Sequence, residues 1–203
     1  MKFMMLAVGV ISSVALADVD ARFAKLRDGA EALGGLGGFT EKYVGECGSK
    51  LLGGAECEKN AEAFRKAATG KKYYMIITEE TASLLQMGEV TGQGEFILNL
   101  TPFFVAGEFA VTQGEPKSTD ANGNPKMPFI RVPATMPENW NPAMMARQVA
   151  GQQLRLQVVF TPQGTWSLPK KGGGQIKGVK AKIDGVLVTV GRTGDQVGIW
   201  FGK

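Results

Sequence analysis

From residue 154 to residue 201 apolar and polar residues alternate with a period of two, and this pattern constrains the fold more than any other feature of the chain. In "RLQVVFTPQGTWSL" and the residue before it, Leu154, Leu156, Val158 and Phe160 alternate with Arg155, Gln157, Val159 and Thr161. Pro162 and Gly164 predict a turn that folds this run back into Trp166 and Leu168 as a hairpin. A second hairpin is predicted from "VKAKIDGVLVTV" at 179–190, through "GRTGDQ", into "VGIWF" at 197–201. Before Gly185 the lysines Lys180 and Lys182 alternate with apolar residues, and after it both faces are apolar. Gly185 therefore marks a bulge at which the strand becomes buried on both sides.

Upstream the period is helical. Val19, Phe23, Leu26, Ala30 and Leu33 predict a helix over 20–33, started by Asp18 or Asp20 and ended by "GGLGG" at 34–38. Phe39, Tyr43, Val44 and Cys47 mark a second, short helix with Thr40 near its cap. Cys57, Ala61, Phe64 and Ala68 mark a third over about 55–69, closed by Gly70. Beyond it "YYMIIT" at 73–78 reads as a strand, "EETASLLQ" as one helical turn, and "FILNLTPFF" at 96–104 with "EFAVTQ" at 108–113 as paired strands. Six prolines between 114 and 142 predict a long irregular connection holding one short strand, "FIRV" at 129–132. Asn141 followed by Pro142 starts a helix that Gly151 stops. The fold class is α+β: N-terminal helices, then a mostly antiparallel sheet of about seven strands in a sandwich or partial barrel.

The chain opens "MKFMMLAVGVISSVALA", with a charged Lys2, an apolar run and Ala15-Leu16-Ala17 ahead of Asp18. These are the three parts of a secretory signal peptide, with cleavage expected after Ala17. The apolar run is shorter than the roughly 20 residues that span a bilayer, and no later segment is longer. Residues 18–203 are of a length that suits a single domain, helical over 20–70 and β-rich over 71–203.

Export decides how "GECGSKLLGGAEC" at 45–57 is read. It holds both cysteines of the chain, and in an oxidising compartment Cys47 and Cys57 are expected to form a disulfide, the alternative being a reduced buried pair. Their spacing is not Cys-x-x-Cys, and a chain without histidine cannot build Cys2His2 or Cys3His zinc sites. The same absence excludes Ser-His-Asp and Cys-His catalysis.

Ser167 and Lys170 match the S-x-x-K of serine-active penicillin-binding enzymes, and Arg192-Thr193-Gly194 resembles their K-T-G. In those enzymes the serine opens a helix, whereas Pro169 and the glycines after it place Ser167 at a strand end. Asp120, Asn122 and Asn124 have the first spacings of a calcium loop, but Pro125 and Arg131 stand where its glycine and bidentate glutamate belong. No metal site and no cofactor is expected.

Charge is uneven. Residues 18–117 carry 11 Lys or Arg against 15 Asp or Glu, a net of −4, and residues 154–203 carry 8 against 2, a net of +6. The glycine-rich "PKKGGGQIKG" at 169–178 lacks the G-K-[ST] of a P-loop. Lys170, Lys171, Lys177, Lys180, Lys182 and Arg192 are candidates for a cationic rim that meets an acidic envelope component or another envelope protein. No nucleic-acid partner is expected. Trp166 and Trp200 fall on strand patterns and read as core, while Trp140 in "MPENWNP" is the candidate exposed contact.

Three segments, "DVDARFAKLRDGAEALGG", "TDANGNP" and "VVFTPQGTWSLPKKGGG", resemble a group of small exported proteins of unknown function from myxobacteria and related Gram-negative bacteria. The resemblance implies an exported location and carries over no site residues. The expected function is that of an exported, non-enzymatic binding or structural module of the cell envelope. The alternative is a histidine-free hydrolase using Ser167 with Lys170 or a pair of carboxylates.

Overall fold

The computed structural model describes residues 20–45, 47, 54–77, 84–119, 125–138, 140–151, 153–170 and 173–203. The expected signal segment, Lys171 and the Asp120, Asn122 and Asn124 triplet lie outside the described residues. Four helices are seen among them: α1 Ala21–Asp28, α2 Leu36–Val44, α3 Gly54–Ala68 and α4 Pro142–Ala150. Ten strands form a single sheet: β1 Glu31–Ala32, β2 Tyr73–Ile77, β3 Leu85–Val90, β4 Glu95–Leu100, β5 Phe103–Ala106, β6 Phe109–Gln113, β7 Ile130–Thr135, β8 Leu154–Pro169, β9 Gln175–Val190 and β10 Gln196–Phe201. The α+β class holds. The strand count does not, ten standing against about seven: in place of a sandwich or partial barrel, one open sheet runs β1-β2-β8-β9-β10-β7-β4-β3, with β6 joined to β9 off this path and β5 joined to β6.

The backbone of the sheet is the hairpin of β8 and β9, paired from Leu154 with Val190 to Pro169 with Gln175. β8 ends at Pro169 and β9 begins at Gln175, with the Lys170 N–H donating to Gly174 O at 3.0 Å, so the chain does not reverse at 162–164 as expected. Pro162 and Gly164 instead bracket a bulge inside one continuous strand. Proline is tolerated there because β2 pairs only with residues 156–160 of β8, which leaves the following stretch at a sheet edge. The expected bulge at Gly185 is present: Val159 pairs with Gly185 and Phe160 with Ile183, leaving Asp184 as the extra residue. On its other edge β9 takes two partners, β6 in parallel along 177–181 and β10 antiparallel along 185–189. The sheet therefore forks at β9.

Several boundaries move. The first helix ends at Asp28 because residues 31–32 extend the sheet, Glu31 and Ala32 pairing in parallel with Tyr73 and Tyr74. "GGLGG" does not terminate a helix but opens α2, where Thr40 Oγ1 donates back to Leu36 O and Gly37 O. Pro102 splits the run at 96–104, so β4 pairs with β3 and β7, and only residues 103–106 meet β6. Leu85 and Gln86, expected in a helical turn, are in β3, and residues 78–83 lie outside the described residues. The α4 helix is as expected: Asn141 Oδ1 accepts from Met144 N at 2.9 Å, and Met145 and Val149 are buried.

Alternation along β8 and β9 divides the core. Val158, Phe160, Val186 and Val188 face the main cluster, where Phe39 of α2 meets Tyr73 at 4.7 Å and Phe160 at 5.7 Å between ring centroids. Val159 and Leu187 face the opposite side, where Phe23 of α1 closes a smaller cluster with Leu26, Ile199 and Phe201 at its margin. Burial of Phe23 contributes about 1.5–3 kcal/mol and is what fixes α1 to that face. At Gly185 a Cβ would stand 2.6 Å from Leu26 Cδ2, so the bulge glycine also lets α1 approach. Helices α2 and α3 are joined by the Cys47–Cys57 disulfide and by Arg65 Nη1, which donates to Tyr43 O at 3.0 Å. Among the described residues no helix is long and apolar enough to cross a membrane.

Candidate ligand pocket on the outer face of the sheet

The Gly185 bulge turns Asp184 inward under α1, leaving its side chain 7% exposed. A carboxylate at that depth needs partners. Thr161 Oγ1 donates to Asp184 Oδ2 at 2.6 Å, Lys72 Nζ lies 3.1 Å from Oδ1 and Lys182 Nζ 3.7 Å from Oδ1. Lys72 stands just before β2 and reaches across β8 to do this. The Gly202 N–H donates to Asp184 O at 2.9 Å, tying the end of β10 to the same point.

Above the carboxylate, α1 presents Arg22, Lys25 and Leu26, spaced i, i+3 and i+4 on one helical face, followed by its C-cap Gly29. The Arg22 guanidinium lies 4.0 Å over the centroid of Phe201. Between α1, Lys72, Asp184, Phe201 and Gly202 is a cavity of about 410 Å³. Three of its lining side chains are cationic, Arg22, Lys25 and Lys72, against one carboxylate. Leu26 and Phe201 supply its apolar surface. Such a pocket can hold an anionic group beside an apolar one.

The residues singled out from the sequence are dispersed. Cys47 and Cys57 are bonded, with S–S 2.04 Å and Cα–Cα 5.5 Å, tying the end of α2 to the first turn of α3 as expected. Ser167 is exposed on β8 opposite Lys177, and Lys170 is exposed at the start of the hairpin turn. Arg192 lies in the turn between β9 and β10, at the other end of a 16-residue strand. At about 3.3 Å per residue that strand spans roughly 50 Å, so Arg192 and Lys170 do not share a rim. Trp140 is half-buried against the main core, and the polarity of β7 and β10 places it at the Arg192 end. Trp166 is buried, and Trp200 packs half-buried on the main core. Sequence reading passed over Asp184, Thr161, Lys72, Arg22 and Lys25. One signal was present: an acid in a basic segment, next to the bulge glycine.

Fold and pocket together define an α+β protein with a forked, mostly antiparallel sheet and a cationic cleft on its outer face. Over residues 1–203 the chain matches the family of unknown function DUF6066 and belongs to it. No curated protein and no solved structure matches it.

Proposed function

We propose that this chain is an exported module of the cell envelope, periplasmic or secreted, that binds or supports without catalysing a reaction. The observation that carries the reading is the Cys47–Cys57 disulfide. Such a bond persists where the surroundings are oxidising and is rare where thiols are kept reduced. The signal-like first seventeen residues support the same compartment. A non-enzymatic role is supported by the exposure of Ser167 and Lys170 at the hairpin, since nucleophilic catalysis works best where water is excluded.

The test is the mass of the protein recovered from its producing cells with thiols blocked on lysis. A chain beginning at Asp18 with two oxidised cysteines is expected. A chain retaining Met1 with both thiols blocked overturns the reading. An acidic envelope partner is expected at the lysine-rich hairpin. Replacing Lys170, Lys171 and Lys177 with glutamine should weaken envelope association and its salt dependence. Unchanged association, insensitive to salt, would argue against that surface.

A further inference from the structure

We propose that the pocket between α1 and the sheet binds an organic anion, a carboxylate or phosphate carried on a compact apolar body. The inference rests on the binding-module reading but is tested on purified protein, independently of export.

The charge balance points to an anion. Asp184 is already engaged by Thr161, Lys72 and Lys182. Lys25 has no ion pair among the described residues and is exposed at the pocket wall. Arg22 uses the face of its guanidinium on Phe201, which leaves its edge donors for a planar or tetrahedral oxyanion. The two groups leave neighbouring positions on one face of one helix, so both reach the pocket without any backbone movement.

The apolar half of the ligand follows from the other wall. An inorganic anion would leave Leu26 and Phe201 uncovered, and a neutral apolar molecule would desolvate the cations without partnering them, which is costly. Gly202 lets the chain after β10 lie close against β9 at the base of the cavity: a Cβ there would collide with Ile183 O. The volume of about 410 Å³ suits a small molecule rather than a macromolecular segment.

The experiment is a titration of the protein, purified with its disulfide formed, followed by the amide chemical shifts of Arg22, Lys25, Gly29 and Gly202. The probes are octyl phosphate, octanoate, inorganic phosphate and octyl glucoside, each below its micellar concentration. Saturable one-to-one shifts at these four residues are expected with octyl phosphate or octanoate, and the stronger of the two names the acid group. Lys25→Gln should weaken that binding roughly tenfold, the loss of one charge-assisted hydrogen bond. As an exposed helix position without an ion pair among the described residues, Lys25 should shift the thermal midpoint by no more than about 1–3 °C on substitution, the loss of a cation from the last turn of α1, so a folding defect is separable from a binding defect. Octyl glucoside binding as tightly as the anions, or inorganic phosphate doing so as an adventitious ion only, overturns the proposal. So does an unchanged affinity in Lys25→Gln, or the absence of shifts at these residues with both organic anions. Any of these results leaves the export reading standing.

Discussion

The indole of Trp166 lies across Gly178, its partner on β9: a side-chain carbon at position 178 would stand 2.6 Å from Trp166 Cε2 and would also collide with Ala110 O on β6. The contact involves backbone on one side, so it cannot be relieved by a rotamer change alone. Gly178→Ala is expected to cost about 1–3 kcal/mol by overpacking and to lower the melting temperature by about 2–4 °C per kcal/mol for a chain of this size. A thermal melt of the variant identical to that of the parent would show that the three strands yield more easily than their geometry implies.

The disulfide offers a second stability measurement. Cys47 and Cys57 are separated by 10 in sequence, and on the loop-entropy argument a ring of this size stabilises by about 2.5–3 kcal/mol. The Cys47→Ser, Cys57→Ser double variant should lose that amount in a urea unfolding experiment. Arg65 still ties α3 to the end of α2, so the loss should appear as a lower midpoint with the fold retained. A midpoint within error of the parent would mean that the unfolded chain gains little freedom when the bridge is removed.

What was legible in the sequence was what local chemistry decides. Asn141 followed by Pro142 caps α4 with its own side chain, Gly185 marks a bulge, and the two cysteines of the chain pair with each other. Pro162 and Gly164 show where this fails, because the same residues serve a turn or a bulge. The choice between them is made by β9, which pairs past them on one side, and by the limited reach of β2 on the other. The glycines of α2 were misread for a related reason: Phe39 and Tyr43, stacked at 5.5 Å and buried, hold the helix against its own weak propensity. The pocket was hidden more deeply. Its cations come from α1 and from the chain before β2, and only the register of β8 and β9 brings Asp184 between them.

Alkaline pH tests the aromatic core. Burial is the leading cause that pushes the hydroxyls of Tyr43, Tyr73 and Tyr74 above their ordinary 10.0, with Glu31 adding to the shift at Tyr73 and nearby arginines opposing it at Tyr43 and Tyr74. Above about pH 10 the unfolded chain loses phenolic protons that the native chain keeps, so stability falls as pH rises through that window and is unaffected below it. Phenolate absorbance should therefore lag behind that of the urea-unfolded chain and rise together with loss of the circular dichroism signal. Three independent phenols titrating near their ordinary value in a folded protein would contradict this burial.

The partners of Asp184 should differ in weight, and the order can be read from exposure. Lys72 is 39% exposed and Lys182 is 43% exposed, so water can replace either at the carboxylate edge. Pairs of this kind contribute about 0–1 kcal/mol and weaken with salt. Thr161 approaches the oxygen from the sheet side at 2.6 Å, where the carboxylate has little access to solvent. A hydrogen bond to a charged group in that setting is worth about 1.5–3 kcal/mol. Thr161→Val should therefore destabilise more than Lys72→Gln, and only the lysine variant should approach the parent in stability as salt is raised. If Lys72→Gln proves the more damaging of the two, the ion pair rather than the buried hydroxyl holds the bulge, and the floor of the pocket would be set from β2 instead of β8.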